Sequence, residues 1–328
     1  MTSRDRILTA LSHKTPDRVP VDFGATFVTG LHVSCVAALR RHYGLEEKPV
    51  RILDLGQMLG VVEEDLKQAL GTDAQGIFRR NARYGYPNAD WKPWRMPDGL
   101  EVLVPGRFKV TIAENGDILT HPLGDASMAP SGKMPVDGYF FDNIERQQPI
   151  DDERLNPADN LEEFGELPEA ELDHLEQAAR EARASGRAVV GSFGGTALGD
   201  ISHVPGPAIP APKGIRSVTE WYISTCSRRD YIHKIFQAQS EVGIKNLERI
   251  AARIGDSVDV VNVCGTDFGT QTSSFCSVRT FNELWAPYYG RVNDWIHKHT
   301  SWKTFKHSCG AVESLKHKVS QTAAPVQV

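Results

Sequence analysis

The residue types best suited to chemistry stand near the end of the chain, where His307 and Cys309 follow a short apolar run and precede Gly310. If that run is a strand, its side chains alternate, and residues two apart point to the same side. The spacing then predicts an imidazole beside a thiol at the C-terminal end of the strand. These are two of the groups that bind zinc in proteins. The alternative is a buried core cysteine beside a histidine that bonds a backbone carbonyl, and the pair alone leaves both interpretations open.

A second polar group follows the apolar run at residues 258–263 and includes Asp267 and Gln271. About one strand–helix–strand unit separates Asp267 from His307, so neighbouring parallel strands would place them at one edge of a sheet. A carboxylate there can orient a ligand histidine, act as an acid or base, or bind a substrate cation. The alternative is that Asp267 caps the next helix while Gln271 bonds the loop backbone.

Two glycine-containing loops are further candidates for contact with a substrate. Asp22 and Gly24 end the first predicted strand, and Gly30 and His32 follow in the same loop. His32 in that position is more typical of a residue at a helix start than of a ligand. The loop at 191–199 resembles a phosphate-binding loop only loosely, because it lacks the glycine spacing and the Gly-Lys-Ser/Thr ending of nucleotide loops. The most that this loop predicts is that a substrate approaches its backbone closely.

The order of predicted elements favours a (β/α) barrel of the TIM type. From residue 160 onward, nearly continuous apolar strands alternate with helices, which is typical of a parallel sheet. Polar residues recur at strand ends, as they do at the active face of such barrels. The predicted strands are 18–24, 74–78, 188–193, 258–263 and one at Trp302, and the predicted helices are one ending before Pro16, one ending near Gly44, 56–70, 162–184, 221–254 and one centred on 281–297.

Residues from about 81 to 144 are predicted to form a β-hairpin insertion within one domain that covers residues 1–328. Turn signals at 96–99 and 114–117 border runs that alternate as antiparallel strands do. The pattern leaves open whether the insertion is a functional lid or a structural flap.

Composition limits the class of protein and its partners. The 328 residues are 40% hydrophobic and 24% charged, which is typical of a soluble globular protein. A net charge of −5 without a dense Lys/Arg run argues against nucleic acid as the main partner. The sequence shows neither a signal peptide nor an apolar run of about 18 residues, which predicts a cytoplasmic location and no membrane partner. Five widely spaced cysteines predict reduced thiols rather than a disulfide framework.

The chain resembles the uroporphyrinogen decarboxylase superfamily in four motifs, which lie in order at residues 16–24, 29–32, 267–271 and 306–310. The resemblance spans most of the chain except the insertion. It implies a (β/α)8 barrel with one active cavity and a small-molecule substrate, and it leaves a homodimer open. The site residues it implies are Asp22, Gly24 and His32 for substrate binding and Asp267 and Gln271 for catalysis.

The superfamily has two branches that need different chemistry. Uroporphyrinogen decarboxylases act without metal and bind the many carboxylates of the substrate through arginines early in the barrel. Residues 25–32 of this chain contain no arginine or lysine. The other branch consists of zinc-dependent methyltransferases that take a methyl group from a corrinoid protein, and His307 and Cys309 match its ligand pair. The resemblance therefore implies methyl transfer to a thiol-type acceptor, with uroporphyrinogen decarboxylation as the alternative.

The chain departs from the superfamily pattern in two places. Thr266 and Asp267 stand where the superfamily usually has two aspartates. The superfamily also continues with further strands, which carry its remaining zinc ligand, whereas residues 326–328 resemble only the start of the next strand. We therefore expect a barrel incomplete at its C-terminus, with Cys264 as the third zinc ligand from the adjacent strand end. An inactive, truncated remnant is a further alternative.

Overall fold

Eight α-helices and thirteen β-strands make up a mixed α/β fold in the computed structural model, which describes residues 1–81, 83–193 and 196–315. The helices are α1 Ser3–Leu11, α2 Val33–His42, α3 Glu64–Leu70, α4 Glu169–Ala184, α5 Val218–Ser227, α6 Arg229–Ile254, α7 Val278–Leu284 and α8 Ala286–His299. The strands are β1 Leu31–His32, β2 Val50–Asp54, β3 Leu59–Gly60, β4 Ala74–Phe78, β5 Lys92–Arg95, β6 Glu101–Val104, β7 Val110–Ile112, β8 Ile118–Thr120, β9 Gly132–Met134, β10 Asp142–Asn143, β11 Ala188–Ser192, β12 Val260–Cys264 and β13 Lys303–Lys306. Part of the 191–199 loop and the expected strand start at 326–328 lie outside the described residues.

A four-stranded parallel sheet carries the second half of the chain, in the order β13-β12-β11-β4. All five residues of β11 are buried, as the continuous apolar run predicted. One face of the sheet packs through Val189 and Val261 against the apolar sides of the long helices. On the other face, Val190 and Val260 form a smaller cluster with Ala25. The sequence-based prediction of a parallel α/β sheet is confirmed.

The predicted β insertion forms two antiparallel hairpins. The turn at 96–99 joins β5 to β6, and the turn at 114–117 joins β7 to β8. β7 and β8 belong to a four-stranded sheet with the order β10-β9-β8-β7. β6 also pairs in parallel with β2, which precedes the insertion, in a five-stranded sheet with the order β1-β3-β2-β6-β5. The insertion therefore shares a sheet and an apolar core with the preceding segment.

Two predicted elements in the first part of the chain are corrected by the structure. Residues 18–24 form no strand; the segment lies beside β4, where the backbone N–H of Asp73 donates to the Val21 carbonyl over 2.7 Å. Pro20 has no N–H to contribute to a sheet ladder, which weakens the pairing of this segment as a strand. Residues 56–63 are not helical but form a turn and β3, because Gly60 packs directly against the side chain of Val50 on β2.

Three predicted helices have different boundaries in the structure. α4 begins at Glu169, after Pro168, because a proline disfavours helical backbone in the residue before it. The long helix predicted at 221–254 is divided at Arg228, whose backbone leaves the helical region. The helix around 281–297 is divided at Trp285, where Pro287 lies in the first turn of α8.

Candidate metal centre

The candidate site lies just beyond the carboxyl ends of β12 and β13. Because these strands are parallel neighbours, the loops that follow them leave the same edge of the sheet. Asp267 lies in the loop after β12, and His307 and Cys309 lie in the loop after β13. β13 itself ends at Lys306, so the histidine and the cysteine are loop residues and not strand residues as predicted.

The side chains of Asp267, His307 and Cys309 converge, with their potential ligand atoms all within 4.8 Å of one another. His307 Nε2 lies 3.0 Å from Cys309 Sγ and 3.7 Å from Asp267 Oδ1. The backbone N–H of Cys309 donates to Asp267 Oδ1 over 2.6 Å, which fixes the carboxylate against the β13 loop. The structure thus brings together three of the residues that the sequence singled out.

This donor set could hold zinc. Imidazole nitrogen, thiolate sulfur and carboxylate oxygen are the three types of protein ligand that zinc takes. Zinc–nitrogen and zinc–sulfur bonds in a tetrahedral site put the two ligand atoms about 3.6 Å apart. His307 Nε2 and Cys309 Sγ already lie at 3.0 Å, so a small movement would accommodate the ion. Three protein ligands leave one position open for a substrate, as in catalytic zinc sites.

The two ligand-bearing loops pack backbone against backbone through two glycines. A Cβ placed on Gly310 would lie 2.2 Å from the backbone of Gly269, and Gly310 itself has a φ of +89°. The backbone N–H of Ala311 donates to the Thr270 carbonyl over 2.7 Å. A side chain at either glycine would push the loops apart, so these glycines set the distance between Asp267 and Cys309.

The buried side chain of Lys306 forms hydrogen bonds with both ligand-bearing loops. Its buried Nζ donates to the carbonyls of Thr266 over 3.0 Å and of His307 over 2.9 Å. The ammonium also lies 4.7 Å from the ring centre of Phe268 and 5.2 Å from that of Tyr289. Burial lowers the pKa of Lys306. The sequence analysis missed this residue, although a lysine at the end of an apolar strand was a signal for it.

Cys264, the expected third ligand, is corrected by the structure. Its Sγ lies 2.9 Å from the Tyr289 hydroxyl and 3.3 Å from Thr266 Oγ1, within the buried core. The strand register shifts after Asn262, so the last residue of β12 turns away from the position that simple alternation predicts. Among the described residues, the group that could bind a metal contains Asp267 in its place.

The remaining predicted site residues lie outside this group. Gln271 is exposed in the loop after β12. His32 caps α2, with Nδ1 at 2.7 Å from Ser34 Oγ, and its Nε2 lies 2.9 Å from the Tyr139 carbonyl oxygen. His32 is therefore the residue at the start of α2, and its role in substrate binding stays a prediction.

Asp22 and Gly24 shape the loop that precedes α2. Asp22 Oδ1 accepts a hydrogen bond of 3.0 Å from the Ala25 backbone N–H. Burial raises the pKa of Asp22, against the opposing effect of that hydrogen bond. Gly24 has a φ of +87° and packs against Val62. These contacts give both residues a role in the loop's conformation, and a substrate-binding role for them stays a prediction.

Two further residues that the sequence analysis missed lie near the metal group. Asp200 lies in the loop after β11, and a Cβ placed on Gly265 would lie 3.2 Å from its Oδ2 and 3.9 Å from His307 Cδ2. Tyr222 of α5 stacks on Phe275, with ring centres 4.6 Å apart. Burial and then the negative charges of Asp267 and Asp200 raise the pKa of Tyr222 to about 12. The sequence indicated Asp200 only weakly, because a carboxylate there follows a glycine-containing loop. It did not indicate Tyr222, which lies within a helix.

The thiol of Cys309 is held in its protonated form when no cation is nearby. Burial, and then the charge of Asp267, raise the pKa of Cys309. A bound zinc ion would reverse this effect, since a coordinating thiol loses its proton. Metal binding at this site is therefore expected to release a proton.

A cavity of about 320 Å³ is lined by Asp152, Leu155, Ser227, Arg228 and Tyr231, none of which belongs to the metal group. Arg228 already forms an ion pair with Asp152 at this place. The charged groups of the cavity therefore neutralise each other, and the metal group remains the better candidate for chemistry.

Comparisons with known proteins assign no family to the chain: no family model matches it, and no curated protein matches it significantly. Among the described residues, no helix has the length and apolar character needed to cross a membrane.

Proposed function

We propose that this chain is a zinc-dependent methyltransferase of the kind found in the uroporphyrinogen decarboxylase superfamily. It would transfer a methyl group from a corrinoid protein to a thiol-type acceptor. The observation that carries the proposal is the convergence of Asp267, His307 and Cys309 at the carboxyl edge of a parallel sheet. This group has the ligand types of a catalytic zinc site and one position left for the acceptor.

The residues of the site would have two roles: three of them would bind the metal, and a fourth would hold the two loops in position. His307 and Cys309 would bind zinc from one loop, and Asp267 would bind it from the other. Bound zinc would keep an acceptor thiol deprotonated at neutral pH, where a free thiol with a pKa of about 8.5 is mostly protonated. Lys306 would keep the two loops at the right separation through its bonds to both backbones. As the sulfur–carbon bond forms, the carbon–cobalt bond breaks and its electron pair stays on the corrinoid.

A (β/α)8 barrel is the proposed architecture around this site. The four parallel strands alternate with helices, and both faces of their sheet are buried, one against the helices and the other against Ala25 and its neighbours. In such barrels the catalytic residues follow the carboxyl ends of several strands. The positions of Asp200, Asp267 and His307 after β11, β12 and β13 agree with this rule.

Methyl transfer from free methylcobalamin to 2-mercaptoethanol tests the proposal, with the loss of methylcobalamin absorbance as the measurement. We expect turnover by the zinc-loaded chain, its loss on addition of a chelator, and a fall of at least about 100-fold in His307→Ala. His299→Ala is the matched control, because His299 is an exposed residue at the end of α8. It should retain wild-type turnover.

Decarboxylation of uroporphyrinogen is the outcome that would favour the other branch. The same preparations should be assayed with that substrate in the presence of chelator. Turnover by metal-free protein would contradict the zinc-dependent proposal and support an Asp267-based decarboxylase. The sequence favours the methyltransferase over the decarboxylase, since residues 25–32 lack the arginines that would bind the carboxylates of uroporphyrinogen.

A further inference from the structure

Two side chains near the metal group, Asp200 and Tyr222, each have a hydrogen-bonding atom without a partner among the described residues. Asp200 Oδ1 accepts a hydrogen bond of 2.9 Å from the Ser202 backbone N–H, which fixes the carboxylate in its loop. A Cβ placed on Gly265 would lie 3.2 Å from the other oxygen, Oδ2, and 3.9 Å from His307 Cδ2. Because residue 265 is a glycine, no side chain of its own fills the position between this carboxylate and the imidazole.

The Tyr222 hydroxyl is buried and has no hydrogen-bond partner among the described residues. Its ring is fixed by stacking on Phe275, and the backbone N–H of Phe275 donates to the Phe268 carbonyl over 2.7 Å. Tyr222 is thus packed against the loop that carries Asp267. A buried hydroxyl without a partner is costly, so a ligand atom that bonds it would recover free energy.

The charges around the site indicate which ligand would fit. Asp267 and a Cys309 thiolate would balance a divalent cation, and the buried Lys306 ammonium carries a positive charge on which the charge of Asp200 acts through space. Lys306 is, however, already engaged by two backbone carbonyls, whereas Asp200 Oδ2 has no hydrogen-bond partner among the described residues. An acceptor that binds as a thiolate adds one negative charge. A positive group on the same molecule would balance it at Asp200.

We propose that Asp200 and Tyr222 form a subsite for an ammonium group, and that the acceptor is a small aminothiol. The ammonium would donate hydrogen bonds to Asp200 Oδ2 and to the Tyr222 hydroxyl oxygen while the sulfur occupies the open metal position. This inference rests on the proposed function, because it needs a metal at Asp267, His307 and Cys309.

Three small thiols of different charge test the subsite on the full chain loaded with cobalt(II), which takes the place of zinc in nitrogen–sulfur sites and absorbs visible light. Cysteamine carries an ammonium group, 2-mercaptoethanol is neutral, and 3-mercaptopropionate carries a carboxylate. Titration of each thiol, followed through the sulfur-to-cobalt absorption, gives its dissociation constant. We expect cysteamine to bind about tenfold more tightly than 2-mercaptoethanol, and 3-mercaptopropionate to bind most weakly.

Two variants assign the preference to the proposed residues. Asp200→Asn should bring the ratio of cysteamine to 2-mercaptoethanol affinity close to one. Tyr222→Phe, which keeps the stacking on Phe275, should reduce the ratio about threefold. Asp137→Asn serves as the matched control, since Asp137 is exposed in the β insertion, and its ratio should equal that of the wild type.

The outcomes separate this inference from the proposed function. If cobalt fails to bind, both are wrong. If cobalt binds but the three thiols bind equally, or the carboxylate-bearing thiol binds best, only the aminothiol subsite is wrong. An unchanged affinity ratio in Asp200→Asn would likewise exclude Asp200 as the ammonium-binding residue.

Discussion

At the scale of single residues, the sequence predicted correctly that His307 and Cys309 lie together. It predicted less well the backbone conformation that brings their side chains into contact. His307 and Cys309 were expected to share one side of a strand, but the strand ends at Lys306. Their side chains meet in the loop that follows, where His307 Nε2 lies 3.0 Å from Cys309 Sγ. Their residue types and their closeness in the sequence were enough to predict that the two side chains form a pair. The backbone path between them could not be read from alternation alone.

The prediction of Cys264 as the third metal ligand failed for an identifiable reason. Cys264 and Asp267 both follow the same apolar run, and simple strand alternation gives no reason to exclude the cysteine. The register shift between Asn262 and Cys264 decides the matter, because it leaves the cysteine in the core beside Tyr289. Such a shift depends on pairing with a distant strand, so the local sequence does not reveal it.

Asp267→Asn is predicted to have opposite effects on thiol reactivity and metal affinity. Loss of the carboxylate charge should lower the pKa of Cys309 towards its ordinary value, since that charge helps to raise it. The metal-free variant should therefore react faster with iodoacetamide at neutral pH, measured by mass spectrometry of the Cys309 peptide. Its zinc affinity should fall about 10- to 100-fold, measured by competition with a chromophoric chelator.

Cys35 provides the internal control for this experiment, because it is exposed on α2 and should be alkylated at the same rate in both proteins. Slower alkylation of Cys309 in the variant, or an unchanged zinc affinity, would show that Asp267 does not act on the thiol as described.

At the scale of elements, the site depends on the contact between the loops after β12 and β13. Their backbones pack so closely at Gly269 and Gly310 that no side chain fits there. Two strands of the parallel sheet were predicted closely: β4 matches 74–78, and β12 lies within two residues of 258–263. The helix boundaries were predicted less well, because the breaks at Arg228 and Trp285 divide otherwise continuous helical patterns.

Gly310→Ala is predicted to reduce zinc affinity at least tenfold. The new Cβ would lie 2.2 Å from the Gly269 backbone, so the loops must separate and Cys309 must move away from Asp267. Gly44→Ala is a matched control: Gly44 also has a positive φ, +64°, but nothing lies within 4 Å of its Cβ position. The control should lose about 1 kcal/mol of stability and keep its zinc affinity. Equal zinc affinities in the two variants would mean that the loop contact does not set the ligand geometry.

At the scale of the whole molecule, the sequence predicted the parallel sheet and the hairpins of the insertion but not how the parts join. The pairing of β6 with β2 connects strands about 50 residues apart, and no local pattern indicates it. Similarly, residues 18–24 read as a strand from their apolar residues, while the structure anchors them through one buried carboxylate, Asp73. Its oxygens accept hydrogen bonds from Arg6, Arg18 and the Val21 backbone N–H.

Asp73→Asn is predicted to lower the free energy of unfolding by about 3 kcal/mol at neutral pH, because it removes the buried anion that accepts hydrogen bonds from the buried Arg6 guanidinium and from Arg18. Burial alone would raise the pKa of Asp73, but the Val21 N–H and the nearby arginines lower it overall. A carboxylate with a lowered pKa stabilises the fold above its unfolded pKa of about 3.9 and loses that effect as the pH falls through the folded value. Urea unfolding should therefore show the full difference from wild type above about pH 5 and a shrinking one below pH 4.

A comparison variant, Asp137→Asn, changes an exposed carboxylate and should unfold like the wild type throughout this range. A difference between Asp73→Asn and wild type that stays constant down to pH 2 would contradict the role assigned to the charged form of Asp73.

The account as a whole depends on a metal bound by Asp267, His307 and Cys309, and the zinc content of the purified full chain tests this most directly. We predict about one zinc per chain by mass spectrometry after dialysis, retained in Cys264→Ser and reduced to less than about a tenth in His307→Ala and Cys309→Ser. Little zinc in the wild type that His307→Ala leaves unchanged, or a loss in Cys264→Ser as large as in Cys309→Ser, would contradict it.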